Sequence, residues 1–350
     1  MRVARLVVIV GGVSGRAEAE RERTAGGHRR AARIEPHINA YLPRMSVRPP
    51  ASQVEAPPAV LCFAASDPTC GAGLQADLLT LSGLGCHPLT VVTAITVQDT
   101  TGVEAVLPLD ADWIADQARA LLEDIPVAAF KIGLLGSVEA IAAIAEIVSD
   151  YPDIPLVLDP VLASGRGDQL ADEGIVDAMI GLLLPLTHVL TPNSLEARRL
   201  AQETEDDSEG SGILALPECA RRLVRAGADY VLLTGTHEGT PQVVNVLYGS
   251  HGVVRSDSWE RLPGSYHGSG CTLASAVAAH LAMDIPAPEA AAGAQDYTWR
   301  TLAAGYRPGM GQYIPDRLFW SRDDDEDEED GDAEGDAADT GADDGGAARG

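Results

Sequence analysis

The most distinctive chemistry in the sequence lies in a glycine-rich segment at residues 264–272 (GSYHGSGCT), which leads into a helix of small residues. Glycines let a backbone approach a ligand closely, and successive N–H groups at a helix N-terminus attract an anion such as a transferring phosphate. Cys271 stands at the start of that predicted helix, where the helix dipole lowers a thiol pKa, so it is a candidate base. A buried structural cysteine on a packed turn is the alternative interpretation. The sequence lacks GxxxxGK[ST], which excludes a P-loop enzyme.

Two carboxylates follow predicted strands in the middle of the chain. Asp159 comes after one apolar run, and Glu196 lies shortly after the next. A pair of carboxylates is sufficient to hold a hydrated Mg²⁺, which completes its shell with waters and substrate phosphates. Asn193 and Glu196 also have the spacing of a capping box that starts a helix, so both interpretations stay open.

Three other strand ends carry unusual residues. Residues 66–73 (SDPTCGAG) form a small-residue loop, in which Gly71 and Gly73 also suit an ordinary βα turn. The carboxamide of Gln98 can present a donor and an acceptor to one edge of a heteroaromatic ring. Lys131 is the only lysine of the chain, and it is either a ligand-binding cation or a plain strand-end cation.

These residues need a scaffold, and the apolar pattern predicts an α/β fold. Short continuous apolar runs alternate with longer amphipathic stretches, which is typical of a mainly parallel sheet with helices on both faces. In such doubly wound sheets ligands bind beyond the carboxyl ends of the strands. Predicted strands lie at 59–64, 88–97, 127–132, 155–160, 187–191 and 229–234, with a hairpin at 243–248 and 253–255. Predicted helices lie at 74–84, 111–124, 137–149, 171–184, 194–202, 216–226, 269–283 and 286–304.

Composition excludes several classes of protein. The 350 residues are 45% hydrophobic and 22% charged, enough for one large globular domain. A net charge of −27 disfavours binding to nucleic acid or to an anionic membrane. No apolar run is long enough to span a bilayer. Five cysteines without CxxC spacing argue against a zinc site and a disulfide framework and favour the reducing cytoplasm.

The two ends of the chain differ from its centre. Residues 1–57 are Arg-rich without apolar periodicity, so we expect a disordered or non-native extension, with Met45 as an alternative start. The first thirteen residues weakly resemble a secretory signal, but the cysteines favour the cytoplasm. Residues 58–320 form the predicted folded domain. Residues 321–350 include eight consecutive acids and form a predicted disordered tail.

Across residues 59–316 the ordered motifs resemble the hydroxymethylpyrimidine/phosphomethylpyrimidine kinases of thiamine biosynthesis, a branch of the ribokinase-like superfamily. The resemblance rests on several motifs in one order, which is more specific than any one of them. The motifs are SDP at 66–68, GAGLQAD at 71–77, TAITVQ at 93–98, KIG at 131–133, LDPV at 158–161, TPNSLE at 191–196 and HGSGCTL at 267–273.

The resemblance implies ATP-dependent phosphorylation of 4-amino-5-hydroxymethyl-2-methylpyrimidine and then of its monophosphate. It implies that Cys271 is the base beside the hydroxymethyl oxygen and that Gln98 pairs with the aminopyrimidine edge. It further implies that Gly268, Ser269 and Gly270 stabilise charge on the γ-phosphoryl group. The other implied substrate-binding residues are Asp67, Gly71, Gly73, Asp77, Leu134 and Val161.

The resemblance also implies a place for ATP and Mg²⁺. Asn193 and Glu196 would orient the metal and the phosphates. The strand-end carboxylate Asp159 is the second expected metal ligand. The remaining implied nucleotide-binding residues are Lys131, Thr234, Gly235 and His237.

The chain departs from the family pattern at several positions, and other functions stay open. The family often has Met at Leu134, Lys at Thr234 and Gly at Thr236, and Ser-Gly-Gly where this chain has TCG at 69–71. The loss of a cation at Thr234 makes ATP affinity and the second phosphorylation the less secure expectations. One alternative is a pyridoxine or pyridoxal kinase. Another is a weakly catalytic regulatory protein whose acidic tail recruits a partner, and homodimers are common in the superfamily.

Overall fold

The structure, a computed structural model, describes residues 56–321 except 165, 166, 168 and 204–213. The predicted N-terminal extension and the predicted acidic tail lie outside these residues, apart from their inner edges. The boundaries 58–320 for the folded domain therefore stay a prediction.

The first strand, β1 (Ala59–Ser66), shows how the sequence produces a covered sheet. Leu61 and Phe63 pack into an apolar core on one face, and Val60 and Cys62 pack into a second core on the other. Successive side chains of a strand point to opposite faces, so a strand that is apolar at every position must lie between two layers. This arrangement explains the continuous apolar runs in the sequence.

The strands of the described residues form one sheet in the order β3-β2-β1-β4-β5-β6-β7-β8-β9. The six strands from β2 to β7 in this order pair in parallel, and β3, β8 and β9 pair antiparallel at the two edges. The predicted mainly parallel sheet is thus confirmed. The further strands are β2 (His87–Gln98), β3 (Val103–Pro108), β4 (Val127–Ile132), β5 (Leu156–Leu158), β6 (Val189–Leu190), β7 (Tyr230–Leu233), β8 (Gln242–Gly249) and β9 (Gly252–Glu260).

Helices cover both faces of the sheet, as predicted. The helices are α1 (Gly73–Gly83), α2 (Ala111–Leu122), α3 (Val138–Ser149), α4 (Glu173–Ala178), α5 (Ser194–Glu203), α6 (Leu216–Arg225), α7 (Ser269–Ala282) and α8 (Ala287–Ala303). Helices α1, α7 and α8 contribute to one core, and α2 to α6 contribute to the other. Among the described residues, none of the helices combines the length and apolar character of a membrane span.

Two elements differ from the sequence-based expectation. Strand β3 has no counterpart among the predicted strands, because as an edge strand it is mostly exposed and carries no continuous apolar run. The helix predicted at 171–184 ends early: α4 passes into a π-helical stretch at Met179–Leu183 and a 3₁₀ turn at Leu184–Leu186. Pro185 in that turn lacks a backbone N–H and cannot continue an α-helix.

Candidate active site

The loop after β1 is organised by a single carboxylate. Asp67 is 1% exposed, and its side chain accepts hydrogen bonds from the N–H groups of Thr69 (2.8 Å) and Ala72 (2.7 Å). His267 Nε2, from the segment before α7, lies 2.9 Å from Asp67 Oδ2. Burial raises the pKa of Asp67, but these hydrogen bonds outweigh it and hold the pKa below its usual value. Both carboxylate oxygens of Asp67 thus serve to join two loops within the protein. Its substrate contact stays a prediction.

Glycines let those two loops touch. Gly268 has φ +77°, and a Cβ there would overlap the carbonyl oxygen of Gly71. A Cβ on Gly71 would in turn overlap the His267 ring. Gly73 has φ +59°, and a Cβ there would overlap the carbonyl oxygen of Ala65. The glycines are thus needed for close backbone contact, which fits both the predicted turn and a ligand-binding loop.

Helix α7 begins directly after this contact. Gly268 is its N-cap in a left-handed conformation, and Ser269, Gly270 and Cys271 form the first turn. The N–H groups of a first turn point away from the helix, here toward the carboxyl edge of the parallel strands. A Cβ added to Gly270 would lie 3.8 Å from Asp159 Oδ1, so the end of β5 faces this helix terminus.

The Cys271 thiol is less acidic than its position at a helix start predicts. Burial, followed by the nearby carboxylate of Asp159, raises the pKa of Cys271 to about 12, although Lys131 acts in the opposite direction. The predicted lowering of this pKa is thus wrong. Desolvation and a close negative charge outweigh the helix dipole, whose effect is typically below about 2 kcal/mol.

Asp159 and Glu196 form a buried acidic pair. Asp159 is 4% exposed, and its Oδ2 is buried without a hydrogen-bond partner. Burial raises the pKa of Asp159 above its usual value. Burial and then the charge of Asp159 raise the pKa of Glu196 to about 8. Because the charge of Asp159 opposes the ionisation of buried Glu196, a cation bound beside them would stabilise the ionised form of Glu196.

The capping interpretation of this segment is confirmed, whereas the metal site stays a prediction. Asn193 Oδ1 accepts hydrogen bonds from the N–H groups of Leu195 (2.9 Å) and Glu196 (3.0 Å). The Asn193 N–H donates to Glu196 Oε2 at 2.9 Å, which completes a capping box. Glu196 therefore caps α5 and faces Asp159 at the same time, so the two interpretations do not exclude each other.

The two carboxylates suit Mg²⁺ better than a metal ion whose ligands all come from the protein. No cluster of three or more His, Cys, Asp or Glu side chains suited to a metal occurs within the described residues. Asp159 offers a buried, unpartnered carboxylate oxygen beside Glu196. Mg²⁺ typically takes one or two carboxylates and fills its other positions with waters and substrate phosphates.

Replacing Glu196 with glutamine is expected to remove a pH-dependent loss of stability. Because the folded pKa of about 8 exceeds the ordinary 4.5, the folded state binds the extra proton and the free energy of unfolding falls as pH rises between these values. The slope is at most about 1.4 kcal/mol per pH unit. Urea unfolding at pH 5.5 and at pH 8 measures the free energy of unfolding. Between these two pH values it should fall by about 1–3 kcal/mol less in the variant than in the wild type.

The control for this experiment is Glu146→Gln, whose side chain is 74% exposed on α3. It should leave the pH dependence unchanged. Parallel pH profiles for the wild type and Glu196→Gln would contradict the assignment of the raised pKa to Glu196.

Lys131 and Asp77 form an ion pair in the interior. Both side chains are fully buried, and Lys131 Nζ lies 2.8 Å and 2.9 Å from the two carboxylate oxygens of Asp77. Ser275 Oγ on α7 also donates to Asp77 Oδ1 at 2.7 Å. Burial alone lowers the pKa of Lys131, but Asp77 outweighs it and holds the pKa above its usual range. The ammonium therefore stays charged.

The sequence predicts that Lys131 contacts the nucleotide and Asp77 the substrate. Neither side chain has exposed surface in this structure, and both contacts stay predictions. The pair joins β4, α1 and α7. Its role is to fix those elements and to supply a positive charge close enough to affect Cys271 and Asp159.

The predicted substrate-facing residues lie at the carboxyl ends of three parallel strands. Gln98 ends β2, and its Nε2 donates to Thr96 Oγ1 at 2.7 Å. Leu134 follows β4, and its carbonyl oxygen accepts from Thr93 Oγ1 at 2.6 Å. Val161 follows β5 and is half-buried, as are Gln98 and Leu134. These partly exposed positions agree with a ligand-facing role.

The predicted nucleotide-side residues follow β7. Thr234 is half-buried, and its N–H donates to the carbonyl of Pro192 at 3.0 Å, which pairs the ends of β6 and β7. The Gly235 N–H donates to Asn245 Oδ1 at 3.1 Å, so this N–H is already engaged within the protein. His237 is exposed. Of these residues, His237 and Thr234 have surface to offer a ligand.

Sequence reasoning missed Arg317, which ties the C-terminal part of the domain to the site. It is 2% exposed, and its Nε donates to Thr272 Oγ1 at 3.0 Å. Its terminal nitrogens donate to the carbonyls of Cys70 (3.2 Å) and Gly71 (2.5 Å). Nothing local marks this arginine, because its partners lie far away in the sequence. The contact between His267 and Asp67 was also missed, although His267 stands within the motif HGSGCTL at 267–273.

Comparison with known proteins identifies the family of this chain. The family model for phosphomethylpyrimidine kinase matches residues 67–316. A hydroxymethylpyrimidine/phosphomethylpyrimidine kinase of Mycobacterium bovis is 38% identical over 75% of this chain and 94% of its own length. The thiamine biosynthesis bifunctional protein ThiED of Geobacter sulfurreducens is 39% identical to this chain. The match covers 72% of this chain and 50% of that longer protein.

A solved structure supports the predicted ribokinase-like fold. The ADP complex of Bacillus subtilis pyridoxal kinase superposes with a TM-score of 0.68 at 27% identity and covers 76% of this chain and 100% of its own. The family match extends over most of the described residues, and the mycobacterial relative agrees over nearly its full length. The chain therefore belongs to the phosphomethylpyrimidine kinase family.

Proposed function

We propose that the protein transfers the γ-phosphoryl group of ATP to the hydroxymethyl group of 4-amino-5-hydroxymethyl-2-methylpyrimidine, and then phosphorylates the monophosphate to the diphosphate. The observation that carries this proposal is the juxtaposition of the α7 N-terminus with the Asp159 carboxylate at the carboxyl edge of the sheet. Family membership and the name of the mycobacterial relative support the choice of substrate.

The residues of this chain divide the work between positioning and charge stabilisation. The N–H groups of Ser269, Gly270 and Cys271 face the transferring phosphoryl group and stabilise its developing charge. Cys271, as its thiolate, is the candidate acceptor of the hydroxyl proton as the new oxygen–phosphorus bond forms and the bond from the γ-phosphorus to ADP breaks. Gln98 offers its amide to the amino-substituted edge of the ring.

Asp159 and Glu196 would hold Mg²⁺. When bound, the ion neutralises phosphate charge and helps to orient the γ-phosphoryl group. Thr234 and His237 lie on the side that would receive the rest of the nucleotide. Thr234 provides a hydroxyl where the family often has a lysine, so weaker ATP binding is expected than in relatives with that cation.

Turnover with defined substrates tests the proposal. Purified protein with ATP and Mg²⁺ should release ADP when hydroxymethylpyrimidine is added, and mass spectrometry should identify first the monophosphate and then the diphosphate. A monophosphate that accumulates while no diphosphate forms would refute the second step. Pyridoxal phosphate formation without pyrimidine turnover would favour the alternative of a pyridoxal kinase. Binding without turnover would favour a regulatory protein.

The pyridoxal alternative rests on the structural similarity to a pyridoxal kinase. Gln98 separates the two, because the pyridine ring lacks the amino group that this amide would bind. Gln98→Leu should lower kcat/KM for the pyrimidine by about 100-fold, since a polar partner is left unpaired. For pyridoxal the same ratio should fall less than about tenfold.

Steady-state kinetics with both substrates measures this difference. Gln202→Leu, at an exposed position on α5, is the matched control and should change neither ratio. An equal loss for the two substrates would contradict the proposed contact between Gln98 and the amino group.

We also infer a cytoplasmic location and a homodimer. The inference of location rests on the five cysteines, all of which are free thiols. The homodimer rests on the family resemblance, and light scattering of the purified protein would measure it.

A further inference from the structure

A segment near the C-terminal end of the described residues folds back on itself to form a closed loop. We call residues 306–314 the strap. Its ends, Tyr306 and Ile314, exchange two backbone hydrogen bonds of 3.0 Å and 2.8 Å. Within it, Arg307 Nε donates to the carbonyl of Gly311 at 2.9 Å. The strap is therefore a defined unit and not a loose connection.

One side of the strap is fixed to the loop after β2. The Gln312 N–H donates to the carbonyl of Thr100 at 2.8 Å, and the Gly311 N–H donates to Thr100 Oγ1 at 3.1 Å. Two glycines make this contact possible. A Cβ on Gly311 would overlap the carbonyl of Thr100, and a Cβ on Gly309 would lie 2.5 Å from Thr100 Oγ1.

The other side of the strap is fixed to the segment before α7. The Tyr313 N–H donates to the carbonyl of Ser265 at 2.9 Å, and the His267 N–H donates to the carbonyl of Tyr313 at 2.8 Å. The rings of Tyr266 and Tyr313 also lie against each other, with centroids 5.5 Å apart.

These two anchors flank the two halves of the candidate site. Thr100 stands two residues after Gln98, the proposed ring-recognition residue, and His267 directly precedes Gly268 at the start of the phosphoryl-binding turn. We propose that the strap sets the distance between ring recognition and phosphoryl transfer, so that Thr100, Gly309 and Gly311 are positioning and specificity-determining residues. This inference rests on the proposed function.

Physical chemistry gives the strap this importance. A hydroxymethyl oxygen reacts only when the ring is held so that the oxygen lies within about 3–3.5 Å of the phosphorus. A displacement of about 1 Å can cost about 100-fold in rate. The amino-substituted pyrimidine depends on Gln98 for its placement. A shift of the loop after β2 therefore affects this substrate more than a ring that makes no hydrogen bond to Gln98.

The direct test compares the single variant Gly309→Ala with the double variant Gly309→Ala/Thr100→Ala. The single variant Gly309→Ala places a methyl against Thr100 Oγ1 and should lower kcat/KM for the pyrimidine by about 10- to 100-fold, with KM for ATP within about twofold. The preference for the pyrimidine over pyridoxal should fall as well. Thr100→Ala removes the obstructing Oγ1, so the double variant should recover most of the lost kcat/KM. Thr100→Ala also removes the hydrogen bond from the Gly311 N–H.

Hydrogen–deuterium exchange provides a readout that does not need activity. Gly309→Ala should increase exchange in residues 96–102 and 263–270, and the double variant should reverse the increase. The Cβ added by Gly311→Ala would overlap the backbone carbonyl oxygen of Thr100, which cannot rotate away. The increase in exchange should therefore be larger, and adding Thr100→Ala should not reverse it. Gly181→Ala, where a Cβ would meet nothing within 4 Å, is the control and should change neither exchange nor kinetics.

The outcomes separate the strap from the proposed function. No pyrimidine turnover by the wild type would refute the proposed function, and the exchange data would still decide whether the strap joins the two loops. Unchanged exchange in Gly309→Ala would overturn the strap proposal. Changed exchange with unchanged kinetics, or an equal rise of both KM values, would overturn its role in specificity.

Discussion

Cys271→Ala is expected to lower kcat for phosphoryl transfer by about 10²- to 10⁴-fold, the usual contribution of a positioned general base. KM for both substrates should change little, because the small side chain leaves the backbone N–H groups of the α7 N-terminus in place. Initial rates of ADP release at saturating substrate measure the loss. Calorimetry with the pyrimidine should show that binding survives.

The pH dependence of the same variant tests how the thiol acts. Because the pKa of Cys271 is about 12, the thiol of the free protein is protonated at neutral pH. If the thiolate is the base, kcat/KM should rise with pH through the neutral and alkaline range. Cys271→Ala should remove this rise. Cys219→Ala, which loses a buried thiol on α6, is the matched control. Full turnover by Cys271→Ala would exclude this residue as the base.

The largest expected effect on stability comes from the buried ion pair. Lys131→Met leaves the Asp77 carboxylate without its cation in the interior, and removal of one partner of a buried pair typically costs about 3–5 kcal/mol. Urea unfolding followed by circular dichroism measures the change in the free energy of unfolding.

A second substitution checks the cause. Lys131→Met combined with Asp77→Asn removes both charges and keeps an oxygen for the hydrogen bond from Ser275. The double variant should be more stable than Lys131→Met alone, because no unpaired charge stays buried. An equal or greater loss in the double variant would show that packing around the lysine stem, and not the unpaired charge, dominates.

The fold was largely predictable because its signals are local. Continuous apolar runs predict buried parallel strands, and the strand order then brings their carboxyl ends together. Strand β3 lacked such a signal, since its pairing with β2 is visible only in the folded chain. The capping box at Asn193 and Glu196 was predictable for the same local reason.

The residues of the site were predictable by position but less so by role. Asp67, Asp77 and Lys131 stand in the expected motifs, yet each is buried and bonded to a residue far away in the sequence. The partners of Arg317 are equally distant. A sequence pattern indicates which residues follow a strand, whereas the pKa of Cys271 depends on the burial and charges that only the folded chain creates.

The burial of Lys131 gives the protein an unusual behaviour toward amine-reactive reagents. This residue is the only lysine of the sequence and is 0% exposed, so the folded chain offers such reagents no lysine side chain. The ammonium is reached only when β4, α1 and α7 separate. The rate of covalent labelling at Lys131 therefore reports the opening of the domain's interior at a single, known position.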